Sequence, residues 1–221
     1  MDVLEAIRLR KSIRGYKLTP VTKEVIQDIL DASCRAPSAS NSQPWEFTIV
    51  TGETLDNIKQ GNLDMFDSGA SQNPDISEEY YTGEYKRRSV DLAIRIFRLM
   101  GMERDNKEKR VEWMQKGLRF YDAPVVILLF MDRSFSVARL FDIGIISQTI
   151  CLLALNYGLA TCIHAQGILY PDVVRKFIKI PDSKMIVMCI TVGYPDWDFP
   201  ANKLETPREP VENIVNWYGF D

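Results

Sequence analysis

The chain has 221 residues, with 27 Lys+Arg against 30 Asp+Glu, a formal net charge of −3. It is 46% hydrophobic and 26% charged, the balance of an ordinary globular protein that builds its own core without disulfide or metal staples. No basic excess marks a nucleic-acid binder, and the single histidine with four scattered cysteines offers no zinc ligand set.

The first element expected is a short helix from Asp2 to about Leu9, with Asp2 as its cap and Glu5 three residues on. The start Met1-Asp2-Val3-Leu4-Glu5 lacks the basic-then-apolar shape of a secretory leader, so a cytoplasmic protein is expected. A basic strip follows, Arg8-Leu9-Arg10-Lys11-Ser12-Ile13-Arg14. In an extended chain Arg10, Ser12 and Arg14 point the same way, and two guanidiniums with a hydroxyl suit an anion. The alternative is an ordinary basic surface turn. A second helix starts after Pro20 with Thr22 as cap and carries Val25, Ile26, Ile29 and Leu30 on one face. It leads into Ala36-Pro37-Ser38-Ala39-Ser40-Asn41-Ser42-Gln43, a thin polar loop that suits either a ligand or a plain connector.

Trp45, Phe47 and Ile49 alternate with polar positions, which predicts a strand with one face more buried. From about 61 to 122 the composition turns first to Gly, Ser, Asn and Asp, then to charge. This block reads as an insertion with helices over Glu84–Met100 and Lys107–Leu118. Val125–Phe130 and Met185–Val192 are continuous apolar runs, as in strands covered on both faces. Between them a long helix from Val137 to Tyr157 is apolar nearly all round, with Gly158 as its C-cap. The apolar stretch Phe141–Ile163 contains Asp142, Gln148 and Asn156, so it is expected in the core or an interface and not in a membrane. These elements predict a single α+β (α/β sandwich-like) domain over 1–221, with a C-terminal arm at about 200–221. GxGxxG, GxxxxGK[ST] and GxSxG are all missing, so any phosphate must be held by side chains.

Arg10-Lys11-Ser12-Ile13-Arg14, then Ala36-Pro37-Ser38 through Asn41-Ser42-Gln43-Pro44-Trp45, resembles the FMN-dependent nitroreductase family. Asp142-Ile143-Gly144, Gly158-Leu159-Ala160-Thr161-Cys162, Val192-Gly193-Tyr194-Pro195 and Pro207-Arg208-Glu209-Pro210-Val211 follow in the family's order. The middle block, through Leu118-Arg119-Phe120-Tyr121-Asp122-Ala123-Pro124, is similar to its nitrobenzoate-reductase-like branch.

The resemblance implies a central mixed sheet flanked by helices, in an intertwined homodimer with FMN at the subunit interface. It implies that Arg10, Lys11, Ser12 and Arg208 form the phosphate and ribityl end, and that Arg14 is a flavin-tuning cation. Pro37, Ser38 and Asn41 would border the flavin from the other subunit. Ala165, Gln166 and Gly167 would lie along its N5 edge with His164 beside it, as a packing residue and not a catalytic one. The implied reaction is ping-pong: hydride passes from NADH or NADPH through FMN N5 to a small nitroaromatic or quinone, with no metal and no catalytic side chain. Tyr80, Tyr81, Phe120 and Tyr121 are candidate pocket walls, or else core packing. Two alternatives on the same fold are a reductive dehalogenase and a flavin-binding storage or sensor protein. Glu84-Tyr85-Lys86, adjacent and not spaced along a helix, count against the dehalogenase.

Overall fold

The computed structural model describes residues 1–77, 81–103 and 105–220. Tyr80, one of the expected pocket walls, lies outside them. Four strands form one sheet in the order β1-β2-β4-β3: β1 Glu46–Thr51, β2 Val125–Asp132, β3 Ala160–His164 and β4 Lys184–Gly193. Every pair in it is antiparallel. The expected mixed sheet is thus antiparallel among the described strands. Its parallel component is a single bridge from Ser12 to Thr161, where the basic strip lies along the outer edge of β3.

Helices cover both faces. On one side lie α2 (Lys23–Ser33) and α6 (Leu140–Ala154), whose Ile26, Ile29, Ile143, Ile146 and Ile150 pack on Val125, Ile127 and Leu129 of β2. On the other lie α3 (Gly52–Asp67), α5 (Lys107–Leu118) and α7 (Pro171–Phe177). Leu55, Ile58, Leu118 and Val174 from these helices meet Val126, Leu128 and Phe130. The alternation of β2 residues between two cores explains its unbroken apolar run. Each fully buried side chain contributes about 1.5–3 kcal/mol.

Local signals act as the sequence predicts at several ends. The Asp2 side chain accepts the Glu5 N–H at 2.8 Å and caps α1 (Val3–Leu9). Thr22 caps α2 through the Val25 N–H, and Gly158 closes the 137–157 helical run in the left-handed conformation. That run is long and apolar enough to cross a membrane by length and composition. In the fold it packs on α2 and the sheet, with Asp142 and Ser147 buried.

Elsewhere the structure differs from expectation. Ile49 is 38% exposed, because β1 is an edge strand and leaves that position facing a shallow groove against α2. The expected start of the insertion, about 61, falls inside α3, whose buried Asn62 donates to the Leu118 and Gly167 carbonyls at 2.9 Å each. Helix α4 (Gly83–Leu99) stands outermost, with Ile96 as its one buried residue. At the C-terminus, Ala201 and Asn202 are fully buried, whereas Val211, Ile214, Trp217, Tyr218 and Phe220 are exposed.

Candidate functional site

The basic strip is split by its extended backbone. Lys11 and Ile13 face a cavity with Trp197 and Glu205, where the Lys11 ammonium is 2.7 Å from the Glu205 carboxylate. Arg14 faces the opposite way. Its backbone N–H donates to Asn202 Oδ1 at 2.7 Å, and its guanidinium donates to the Ser12 carbonyl at 3.3 Å and lies 5.9 Å from the Tyr121 ring. Asn202 also donates to the Gly15 and Asp196 carbonyls at 2.8 and 2.7 Å, so one buried amide fixes the chain on both sides of Arg14.

Arg14 opens into a cavity of about 830 Å³, within the range of small-molecule sites. The floor comes from the ends of β3 and β4: His164, Ala165 and Gln166, with Ile186, Val187 and Met188. A register shift in the β2–β4 ladder between Leu129 and Phe130, opposite these residues, turns the strand toward the cavity. The roof is helical, with Ser89, Leu92, Ala93, Ile96 and Phe97 of α4 and Trp113 and Met114 of α5. Pro74, Ile76 and Ser77 close one side. Asp75 secures that segment by accepting from Arg133, Arg175 and the Ile186 N–H at 2.8, 2.6 and 2.7 Å. Burial works against the Asp75 charge, but these hydrogen bonds outweigh it and hold the carboxyl below its usual range.

The floor rests on a strained turn. Phe120, Tyr121 and Asp122 have φ of 56°, 53° and 58°, three consecutive left-handed residues without glycine. Such residues cost about 1–3 kcal/mol each and persist where surrounding contacts fix them. Here Lys116 and Arg119 hold the Asp122 carboxylate, and the buried Phe120 ring sits against Gly167. A Cβ on Gly167 would stand 2.1 Å from that ring. The turn aims the Tyr121 hydroxyl at Gln166 Oε1, 2.6 Å away, and sets its ring 4.9 Å from His164. Burial pushes the Tyr121 hydroxyl pKa up, so the phenol stays protonated and donates.

His164 is held in place by rings and not by hydrogen bonds. Phe120 stands edge-on at 6.1 Å, and neither buried ring nitrogen has a hydrogen-bond partner among the described residues. Burial, with Arg14 nearby, pushes its pKa down to about 3, so the imidazole is neutral. Cys151, Cys162 and Cys189 are free and buried, and burial raises all three thiols. They are poor nucleophiles.

Of the site residues expected from sequence, Arg14, His164, Ala165 and Gln166 line this one cavity, with Gly167 packed just below. Ser12 pairs with the β3 edge, and Arg10 ends α1 with its N–H on the Ala6 carbonyl. Pro37, Ser38 and Asn41 lie on a separate loop. Ser40, Asn41 and Gln43 there are left-handed, Ser38 Oγ accepts the Gln43 N–H, and Asp142 accepts the Ala39 N–H. Arg208 lies in a groove with Arg87, Arg88 and Arg95, its guanidinium folded onto Thr206 and Pro207. A single chain therefore does not gather the last four of these residues at the cavity. Of the expected walls, Tyr81 and Tyr121 line it, and Phe120 is core. Phe97, Trp113 and Met114 were missed; the apolar spacing Ala93–Ile96–Phe97 on α4 was the available signal.

The nitroreductase family model matches residues 7–194 of this chain. A 4-nitrobenzoate reductase of Nocardioides sp. (strain LMS-CY) is 30% identical, over 97% of this chain and 89% of its own length. A nitrobenzene nitroreductase of Ectopseudomonas oleovorans is 28% identical, over 96% and 95%. Among solved structures, the FMN and NADPH-dependent nitroreductase NfnB of Sphigopyxis sp. strain HMH superposes with a TM-score of 0.94 at 27% identity, covering all of both chains. The FMN-dependent NfnB of Mycobacterium smegmatis, solved in complex with NADPH, gives 0.92 at 26% identity over 98% of this chain and 100% of that one.

Proposed function

The chain belongs to the nitroreductase family, and from that premise we propose that it is an NAD(P)H-dependent FMN oxidoreductase acting by ping-pong turnover on nitroaromatics and quinones. The observation that carries this reading is the cavity floor, where Arg14, Tyr121 and His164 meet under an aromatic roof. The residues present fit a planar heteroaromatic cofactor. Two buried imidazole nitrogens lack partners, the Ala165–Gln166 backbone borders the space, and Gly167 lets Phe120 pack tightly beneath it.

FMN, when bound, supplies the two-electron carrier between pyridine nucleotide and acceptor. Arg14 puts a permanent positive charge on the wall and favours negative charge on a ring system lying against it. Arg10, Ser12 and Arg208 hold the phosphate end, and Lys11, already paired with Glu205, adds to the local positive field. Pro37, Ser38 and Asn41 border the ring from a second copy of the chain, in a homodimer. The exposed apolar residues of α1 and of the C-terminal arm support such an interface. One cavity serves donor and acceptor in turn, and its roof of Leu92, Ile96, Phe97 and Trp113 suits a small apolar aromatic acceptor.

The test is an anaerobic visible spectrum of the purified protein. Flavin bands should bleach with NADH or NADPH and return with a nitroaromatic. Arg14→Ala should weaken FMN binding or slow its reduction by tenfold or more. Bands that resist both nucleotides would overturn the assigned reaction, and failure to bind added FMN would overturn the site.

A further inference from the structure

His164 is the chain's one histidine, and it combines features that ordinary packing does not explain. It stands at the end of β3, lines the 830 Å³ cavity, and has both ring nitrogens buried without a partner among the described residues. A neutral imidazole always carries one N–H and one lone pair. Leaving either unmet in a buried position costs stability, and two unmet groups on one ring are uncommon. A phenyl ring would make the same contacts with Phe120 and Tyr121 and leave nothing unmet. The polar neighbours are otherwise engaged: the Tyr121 hydroxyl donates to Gln166, and Arg14 reaches the Ser12 carbonyl. The Cys189 thiol donates to the His164 carbonyl and not to the ring.

We propose that His164 is a positioning residue that hydrogen-bonds the polar edge of the flavin ring system as a neutral imidazole. This rests on the reading of the cavity as an FMN site. The pyrimidine part of the isoalloxazine presents carbonyl acceptors beside ring nitrogens that donate or accept. One such edge can accept from the imidazole N–H and also meet its lone pair. Phe120 and Tyr121 fix the plane of the imidazole, and Arg14 across the Tyr121 ring keeps a proton off it. The apoprotein is therefore less stable than a phenyl substitute would make it, and that deficit is recovered as cofactor affinity.

Three variants test this: His164→Phe, His164→Asn and His164→Gln. Each is purified, stripped of FMN and titrated with it, and apoprotein melting temperature, FMN dissociation constant and bound-flavin spectrum are read. His164→Phe should melt a few degrees higher as apoprotein, bind FMN at least tenfold more weakly and shift the visible bands. At least one of the Asn and Gln variants should recover most of that affinity. FMN affinity and spectrum unchanged in His164→Phe would overturn the proposal. So would a lower apoprotein melting temperature with no recovery by either amide, which marks a structural ring. Unchanged FMN affinity with a raised KM for NAD(P)H would move the contact to the nicotinamide and also overturn it. If the wild-type protein itself takes up no FMN, the cavity reading fails as well, an outcome distinct from each of these.

Discussion

Asn202 and His164 show how much single side chains carry here. Asn202 is fully buried and makes three hydrogen bonds, to the Arg14 N–H and to the Gly15 and Asp196 carbonyls. Asn202→Ala leaves those backbone groups unmet at a cost of about 3 kcal/mol. It should lower the denaturant midpoint and, by releasing Arg14, weaken FMN binding, both measurable on one preparation. His164 gives a pH signature. Its folded pKa of about 3 lies below the ordinary value, so between these limits the unfolded chain binds the extra proton. Stability is full above about pH 6.5 and falls as pH drops toward 3, by roughly 2 kcal/mol at pH 5. Urea midpoints of the apoprotein at pH 7 and pH 5 should show this loss. His164→Phe should remove most of it, since no other histidine is present.

At the scale of elements, both loops that border the proposed site are strained. Ser40 lies at φ 53° on an exposed loop, with no hydrogen bond from its side chain. Ser40→Gly should raise the melting temperature by the equivalent of about 0.5–1 kcal/mol. Tyr121 is different, because its left-handed backbone is what directs the ring at His164.

This contrast also shows what the sequence reveals. Caps at Asp2 and Thr22, the Gly158 stop and the two-faced strand β2 are written in local residue types, and they were legible. The run Phe120-Tyr121-Asp122 was not, since aromatic residues carry no preference for a left-handed turn and only tertiary contacts enforce it. Helix α3 was missed in part because Gly61 reads as a breaker; a Cβ there would meet Val173 of α7 at 2.6 Å, so the glycine serves helix packing. Arg14, His164 and Gln166 could be named from their order in the chain. That His164 would have no partner could not, because that depends on which neighbours are already committed.

Over the whole molecule, apolar residues are placed as a lone chain would not place them. All of α1 lacks a buried residue, with Val3, Leu4, Ile7 and Leu9 exposed, and the arm adds Trp217, Tyr218 and Phe220. A homodimer should run at about twice the 25.4 kDa of the chain in light scattering, with a melting temperature that rises with protein concentration. A monomeric mass at micromolar concentration would oppose the shared site.

The two halves of the cavity are built to different standards. Its floor is made of sheet ends and the strained turn, continuous with the core, where most substitutions unfold the protein. Its roof helix α4 is anchored by Ile96 alone, and Ser89, Leu92, Ala93 and Phe97 face the cavity with little packing behind them. Changes in the roof therefore alter the shape of the opening at small cost to the fold. Descendants of this scaffold can drift from one acceptor to another through α4 while the cofactor platform stays under purifying selection, so acceptor preference evolves faster than redox chemistry.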